Sequence, residues 1–435
     1  MKEIRMNIND LFTKDLLFTV INYFIRLILK PIILLGITFF LTEFEQGYWY
    51  TFGSLAALTT FADLGFTTII TQFSAHELSS SHGEINENII SLFRFVVKWI
   101  SVAIGITIPI IMIIGAFIFN KKDEFSIWGA PWFLYCLTTG VNFIIQAVLS
   151  FFEGLNKISV VQHIKSIDAI VINLSGILFL AFGKGIYSLG LAMLLANIID
   201  IIFIIKNFKD YLKIILRNKG SNRKWLYEII PLLSRYAISW ICGYLIFQIY
   251  NPLVFYLHGA ELAGKVGYSI TIISSIGSIS NIWIYVVIPK FNVLAEEKNW
   301  DKMDKELKIR LPLCIVTFLT GVILFSILLK IPIIGNIIGN RILGIYQIII
   351  LSLAYVGQII INGIAVYLRA HKKEPLMPIS VFNAFYSLIG TILGIYLIGI
   401  EGIFIGYASS FIIAIPLSFI ILFRCKKKWH IVERN

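Results

Sequence analysis

The chain has 435 residues, of which 58% are hydrophobic and only 14% are charged, and its mean hydropathy is +0.84. Soluble proteins carry about 25% charged residues, so this composition excludes a soluble globular protein and predicts a polytopic membrane protein. The formal net charge of +12 could also indicate nucleic-acid binding. The positions of the cations along the chain decide between the two interpretations.

The first long apolar run, 16–41, contains two cations, Arg26 and Lys30. At ~1.5 Å per residue, both lie well inside a hydrocarbon layer ~30 Å thick. A charge at that depth is costly, so we expect both side chains to face protein, water or an anionic ligand. Because they are four residues apart, they share one face of the helix. The acidic residues before this run and its length make a cleavable signal peptide unexpected.

Twelve apolar runs long enough to span a membrane follow one another along the chain. We place them at 16–41, 48–73, 93–119, 131–152, 167–183, 186–205, 229–257, 266–288, 311–330, 344–368, 376–398 and 402–423. Only Lys184 and Gly185 separate the fifth run from the sixth, and a single re-entrant unit there gives eleven spans instead. The predicted fold is all-α, with 12 transmembrane helices.

The basic residues predict the topology. With the N-terminus in the cytoplasm, 28 of the 37 Lys and Arg residues fall on the inner side, six fall outside, and three lie within spans. This bias places both termini in the cytoplasm. It also explains the positive charge without nucleic acid.

The polar segment 206–228 lies at the middle of the chain and holds seven Lys or Arg residues. We interpret it as a cytoplasmic connector, either a solvated linker or an amphipathic helix on the membrane surface. The predicted domains are an N-terminal lobe at 1–205 (spans 1–6), the connector at 206–228, a C-terminal lobe at 229–423 (spans 7–12) and a cytoplasmic tail at 424–435. A weak repeat supports this division, with EQGY at 45–48 and KVGY at 265–268. Since both halves begin inside, two parallel six-helix lobes are expected.

Four charges lie inside spans and away from their ends: Arg26, Lys30, Asp63 and Arg235. One hypothesis is a cationic cavity between the halves, in which Arg26, Lys30 and Arg235 bind a phosphate-bearing headgroup. Asp63, predicted at a depth similar to that of Arg26, would be its charge partner or couple transport to an ion. The alternative is an Arg–Asp pair that fixes helix packing, with Arg235 reaching the inner interface.

The sequence favours neither a metal centre nor a catalytic site. The histidines lie in loops or at span ends, the cysteines show no metal-ligand spacing, and nucleophile motifs are absent. We therefore expect no metal, no cofactor and no enzyme activity. Asp168 and Asp200 lie near predicted inner ends of spans, where we expect solvated side chains.

Four short motifs spread over the chain resemble patterns of the O-antigen (Wzx-type) polysaccharide flippases. They are FADLGF at 61–66, FEGLNK at 152–157, GAELAGKVGY at 259–268 and YLRAHKKEP at 367–375. The resemblance covers essentially the whole chain, and it specifies a family better than a substrate.

This resemblance implies the V-shaped, two-lobe fold of the multidrug/oligosaccharidyl-lipid/polysaccharide exporter superfamily. It implies a flippase of the bacterial inner membrane that moves an undecaprenyl-pyrophosphate-linked oligosaccharide outward by alternating access. H⁺, Na⁺ or the membrane potential would drive it, and a polysaccharide polymerase with its chain-length machinery is an expected partner.

Three alternatives stay open. A multidrug exporter of the same superfamily would take organic cations, which a cavity with three cations repels. A lipid II or teichoic-precursor flippase has nearly the same substrate chemistry. A membrane polysaccharide polymerase needs catalytic groups on the outer face, where the predicted loops are short.

Overall fold

A computed structural model describes residues 14–82, 84–371 and 373–432. Every regular element in these ranges is helical: 18 α-helices and three short 3-10 helices. The chain divides into two compact units, Met1–Ile241 and Cys242–Asn435. The lobe boundaries drawn from the sequence stay a prediction.

Nine helices begin in the first unit. They are α1 (Lys14–Phe40), α2 (Glu43–Ala56), α3 (Thr60–Asp63), α4 (Phe66–Ser80), α5 (Glu87–Phe119), α6 (Phe125–Gly154), α7 (Ile158–Ala181), α8 (Tyr187–Arg217) and α9 (Trp225–Phe247). The main packing contacts join α1 to α7, α7 to α8, α8 to α6, and α6 to both α5 and α4. Helix α9 continues past Ile241 into the second unit.

The second unit holds the other nine helices. They are α10 (Tyr250–His258), α11 (Ala260–Ser280), α12 (Ile282–Tyr285), α13 (Ile288–Glu296), α14 (Trp300–Leu328), α15 (Pro332–Ile338), α16 (Ile345–Arg369), α17 (Met377–Ile398) and α18 (Ile405–Val432). Helix α18 packs against α17 and α16, and α14 packs against α11 and α16.

The predicted number of spans agrees with these helices. In the described part of the chain, ten helical segments are long and apolar enough to cross a membrane. Two further pairs pass the same test but are bent, Glu43–Asp63 with Phe66–Ser80 by 41° and Trp240–Phe247 with Tyr250–His258 by 44°. Counting each bent pair as one span gives twelve.

The least certain pair of predicted spans forms two separate long helices, α7 and α8, which pack against each other. The turn between them contains Gly183 and Gly185, with φ values of 70° and 50°. Glycine adopts such left-handed conformations without a steric penalty. The single re-entrant unit was therefore the wrong alternative.

Hydrogen bonds and an ion pair join the connector to helices of the first unit. Helix α8 extends to Arg217, and the Arg94 guanidinium donates to the carbonyl oxygens of Ile215 (2.9 Å) and Asn218 (2.7 Å). Further on, Arg223 donates to the buried Glu77 carboxylate at 2.7 Å and to both Glu228 oxygens at 2.7 and 2.6 Å. Hydrogen bonding to Glu228, and secondarily to Glu77, raises the pKa of Arg223 above its usual value.

We expect Arg223→Gln to lower the free energy of unfolding by about 2 kcal/mol, because it leaves the buried Glu77 carboxylate without its cation. Chemical unfolding in detergent, followed by tryptophan fluorescence, measures the change. Lys219→Gln, at an exposed position of the same connector, is the matched control and should change stability by less than about 0.5 kcal/mol. Equal stabilities of the two variants would show that this ion pair does not hold the connector.

Candidate functional site

Arg26 is held by three polar groups from two helices of the first unit. Its Nε donates to Asn22 Oδ1 at 3.0 Å, one turn earlier on α1. Its Nη2 donates to the Lys165 carbonyl oxygen on α7 at 2.9 Å and lies 3.7 Å from Asp168 Oδ2. The close packing of α1 on α7 brings these groups together. The guanidinium is therefore oriented by neutral groups and paired with one carboxylate.

A chain of hydrogen bonds continues from Arg26 across a third helix. Asn22 Nδ2 donates to Gln162 Oε1 at 2.8 Å, and Gln162 Nε2 donates to Glu153 Oε1 at 3.0 Å. The other oxygen of Glu153 accepts from Lys165 Nζ at 2.7 Å. Side chains of Asn22 and Gln162 are buried, so these bonds replace hydration that the amides have lost. We call Asn22, Arg26, Glu153, Gln162, Lys165 and Asp168 the Arg26 network.

One end of the network meets a cavity. Glu153 and Gly154, at the end of α6, line a cavity of about 580 Å³ together with Thr71 and Ser79 of α4. Glu153 and Gly154 directly follow the end of the fourth predicted span, which we predict to lie on the cytoplasmic side. The network thus links a cavity wall to Arg26 within one unit.

Two buried carboxylates lie on helices α7 and α8, and one of them, Asp168, is paired with Arg26. Asp168 is 4% exposed and Asp200, on α8, is 0% exposed. Within the described part of the chain, Asp168 Oδ1 and both carboxylate oxygens of Asp200 have no hydrogen-bond partner. The expectation that both aspartates are solvated was wrong, because α7 and α8 extend beyond the predicted spans and pack over them.

Arg26 and Lys30 nevertheless remain accessible. The Arg26 side chain is 47% exposed even though it is paired, and Lys30, one turn further on, is also exposed. Lys30 forms no hydrogen bond or ion pair with the residues described. Two cations therefore lie on one face of α1, one anchored and one unpaired.

The structure places a different carboxylate beside Arg26 from the one that the sequence suggested. Asp63 is buried at the end of α3, where its Oδ1 accepts from the Thr67 backbone N–H at 2.9 Å and its Oδ2 from the Thr67 hydroxyl at 3.2 Å. Between them, Leu64 and Gly65 have φ values of 45° and 86°. Asp63 thus satisfies a free N–H at the start of α4, across the break in the second span. Its role in ion coupling stays a prediction.

Arg235 lies in α9, within the first compact unit. Its side chain is outside the described part of the structure. Its predicted contact with a phosphate therefore stays a prediction. Among the residues described, no group of three or more His, Cys, Asp or Glu side chains could hold a metal ion.

The predicted site residues did not include Asn22, Glu153, Gln162 or Lys165. A signal was present, because Gln162, Lys165 and Asp168 recur every three residues and so lie along one side of a helix. Asn22 precedes Arg26 by four residues in the same way. Polar stripes of this kind inside spans mark interhelical hydrogen bonding.

Solved structures of membrane transporters share this arrangement of helices. Lipid II flippase MurJ, in an inward closed conformation, matches with a TM-score of 0.63 at 13% identity, over 93% of this chain and 87% of that one. The MATE multidrug transporter DinF-BH matches with a TM-score of 0.61 at 12% identity, over 94% of each chain. An inward-facing MATE family transporter of the MOP superfamily matches with a TM-score of 0.58 at 13% identity, over 92% and 99%. The chain shares the fold of these transporter structures.

This shared fold confirms the predicted fold class and extends over nearly the whole chain. The three matched proteins are described as transporters or as a flippase. No family model matches the sequence, and no curated protein sequence does. At this level of identity the likeness shows the fold, and the substrate has to be argued from the site.

Proposed function

We propose that the chain is a flippase that moves an undecaprenyl-pyrophosphate-linked oligosaccharide from the cytoplasmic to the outer leaflet of the bacterial inner membrane by alternating access. Ion binding or the membrane potential drives it, and both termini lie in the cytoplasm. The repeat unit of an O-antigen or similar surface polysaccharide is the proposed cargo, which a polysaccharide polymerase and its chain-length machinery would then use.

The observation that carries this proposal is the accessible pair of cations on α1. The Arg26 side chain is 47% exposed, yet Asn22 and the Lys165 carbonyl fix its orientation. A guanidinium held in this way offers paired N–H donors to phosphate oxygens, and Lys30 adds a second charge. Arg235 is proposed as a third cation for the same headgroup.

Structures with the same fold are described as carrying two other kinds of cargo. The MurJ structure is described as a lipid II flippase, and a lipid II or teichoic precursor also carries a phosphate-bearing head, so it is a second candidate of the same chemical class. The MATE structures are described as multidrug transporters. Lipophilic cations are disfavoured here, because Arg26 and Lys30 are both positive and would repel them.

Reconstitution in liposomes distinguishes these cargoes. We expect the protein to move a fluorescent prenyl-pyrophosphate sugar between leaflets, measured as the fraction that an impermeant quencher reaches. A lipophilic organic cation in the same liposomes should not be transported. Transport of the cation with an unmoved lipid-linked sugar would favour the multidrug alternative. Comparison of sugar-linked lipids with lipid II then assigns the cargo within the phosphate class.

A further inference from the structure

The cavity beside Glu153 combines apolar walls with free polar side chains. Its volume is about 580 Å³, and Leu78 of α4 and Ile158 of α7 belong to its apolar wall. Ser79 and Asn156 also line it, and both side chains are exposed and form no hydrogen bond with the residues described. A hydroxyl and an amide can each donate and accept, so these two groups are available to a polar ligand.

Glu153 adds an oriented carboxylate to this cavity. Its Oε2 accepts from Lys165 Nζ at 2.7 Å, and its Oε1 accepts from Gln162 Nε2 at 3.0 Å. The side chain is 22% exposed, and each oxygen can accept a further hydrogen bond. Lys165 neutralises the charge of Glu153, and no Lys or Arg is among the described residues that line the cavity. The lining therefore suits a neutral ligand with several hydrogen-bonding groups better than a metal cation or a phosphate.

A sugar ring has the chemistry that such a lining recognises. Its faces carry C–H groups, which pack against apolar walls, and its edge carries hydroxyls that both donate and accept. Glu153 can accept from these hydroxyls, and the imidazole of His82, which also lines the cavity, can donate or accept. Pockets for small ligands measure about 300 to 1,000 Å³ and combine apolar walls with a few placed polar groups. This cavity has that size and that composition.

The cavity lies beside the proposed phosphate surface, within the first compact unit. Arg26 Nε donates to Asn22 Oδ1 at 3.0 Å, and Asn22 Nδ2 donates to Gln162 Oε1 at 2.8 Å. Gln162 in turn donates to Glu153 at 3.0 Å, so two amide side chains separate the guanidinium from the carboxylate in the cavity wall. In a prenyl-pyrophosphate sugar, the first sugar is bonded directly to a phosphate. A phosphate bound to Arg26 therefore brings its sugar close to Glu153.

We propose that this cavity binds the sugar nearest the pyrophosphate of the cargo, while Arg26 and Lys30 bind the pyrophosphate itself. The proposal rests on the proposed function, since that function supplies the lipid-linked sugar. Hydroxyls of the sugar donate to Glu153 and exchange hydrogen bonds with Ser79 and Asn156, and one face of the ring packs against the apolar wall. The sugar then contributes to the affinity for the cargo in addition to the phosphate.

The first test compares farnesyl pyrophosphate, a short-chain prenyl pyrophosphate, with its conjugates of glucose, galactose and N-acetylglucosamine. Isothermal titration calorimetry measures their affinities for the full-length protein in detergent. We expect at least one conjugate to bind the wild type about tenfold more tightly than farnesyl pyrophosphate, because the sugar hydroxyls add hydrogen bonds. The proposal is overturned if farnesyl pyrophosphate binds and no conjugate binds more tightly.

The variant Ser79→Ala/Asn156→Gly removes two polar side chains of the cavity and leaves the phosphate surface intact. Asn156 has a φ of 60°, which glycine adopts without strain, so the turn is kept. The variant should bind the sugar conjugate about tenfold more weakly than the wild type, and farnesyl pyrophosphate equally well. Ser80→Ala is the matched control, because Ser80 is also exposed and its hydroxyl donates to the His76 carbonyl oxygen at 3.0 Å. Equal affinities of variant and control for the conjugate, or equal losses for both ligands, would overturn the proposal.

A second measurement does not depend on the phosphate. The thiol of Ser79→Cys should react with a water-soluble maleimide, and free methyl glycosides of the same sugars should slow this reaction but not that of Ser80→Cys. Both variants carry Cys425→Ser, since the other three native cysteines are buried. If neither farnesyl pyrophosphate nor its conjugates bind the wild type, the phosphate surface of the proposed function fails. The sugar site is then decided by the thiol: protection by a glycoside supports it, and an unchanged reaction rate overturns it.

Discussion

Replacing Arg26 with glutamine should lower the free energy of unfolding by about 3 kcal/mol, because the change leaves the buried Asp168 carboxylate without its cation. Asp168 loses its ion pair, Asn22 Oδ1 loses a donor, and the Lys165 carbonyl loses another. Flipping of the lipid-linked sugar should also fall to the background of empty liposomes. Chemical unfolding in detergent measures the first effect, and the quencher assay in liposomes measures the second.

The double variant Arg26→Gln/Asp168→Asn separates the two effects. Removing both charges leaves no ion pair to compensate, so most of the lost stability should return. Flipping should not return, because the guanidinium that binds the phosphate is still missing. A double variant that flips at the wild-type rate would show that Arg26 only fixes the packing of α1 on α7. An unstable double variant would mean that the Asn22 and Lys165 bonds dominate the stability.

Composition and the periodicity of apolar runs are sufficient to predict the fold class. Each predicted span coincides with a helix or a bent pair of helices, because a chain in lipid has to satisfy its backbone hydrogen bonds locally. The depth of Arg26 and Lys30 follows from the same pattern. What hydropathy cannot predict is the length of a helix beyond the bilayer, since the extensions are polar. Helix α7 begins at Ile158 and α8 ends at Arg217, well outside the predicted 167–183 and 186–205.

Those extensions explain the error about Asp168 and Asp200. With the longer helices, both aspartates lie ten or more residues from a helix end on the predicted inner side, where neighbouring helices cover them. The partner of Arg26 was misjudged for a related reason. The predicted partner, Asp63, was chosen because it lies at a similar depth in the next span of the chain. In the structure α1 packs against α7 instead. Which helices become neighbours depends on side-chain packing in three dimensions, and a one-dimensional depth estimate contains no such information.

The break within the second span was also not predicted from the sequence. Residues 64 and 65 interrupt the second span with left-handed conformations, and Asp63 accepts a hydrogen bond from the Thr67 backbone N–H in the first turn of the helix that follows. The dipeptide Leu64–Gly65 gives a weak signal, because glycine within a span is common and seldom breaks it. An aspartate two residues before such a glycine is a stronger indication of a cap than of a charge pair.

Lys30 provides the sharpest test of the proposed phosphate surface, because function and stability should respond differently there. Its side chain is exposed and forms no hydrogen bond or ion pair with the described residues. Lys30→Gln should therefore change the free energy of unfolding by less than about 0.5 kcal/mol. Flipping should fall by about tenfold or more, since a lost charge-assisted contact with phosphate corresponds to about 1.5 to 3 kcal/mol.

Lys30→Arg should retain most of the flipping rate, because it keeps the charge at the same place on α1. Lys206→Gln removes an exposed lysine from α8 and is the matched control for the general effect of positive charge. It should leave both flipping and stability unchanged. Equal flipping rates for Lys30→Gln and Lys206→Gln would exclude Lys30 from the phosphate surface and leave Arg26 as its described cation on α1. A lower rate for Lys30→Gln alone, at unchanged stability, would place the headgroup against this face of α1, one turn from Arg26.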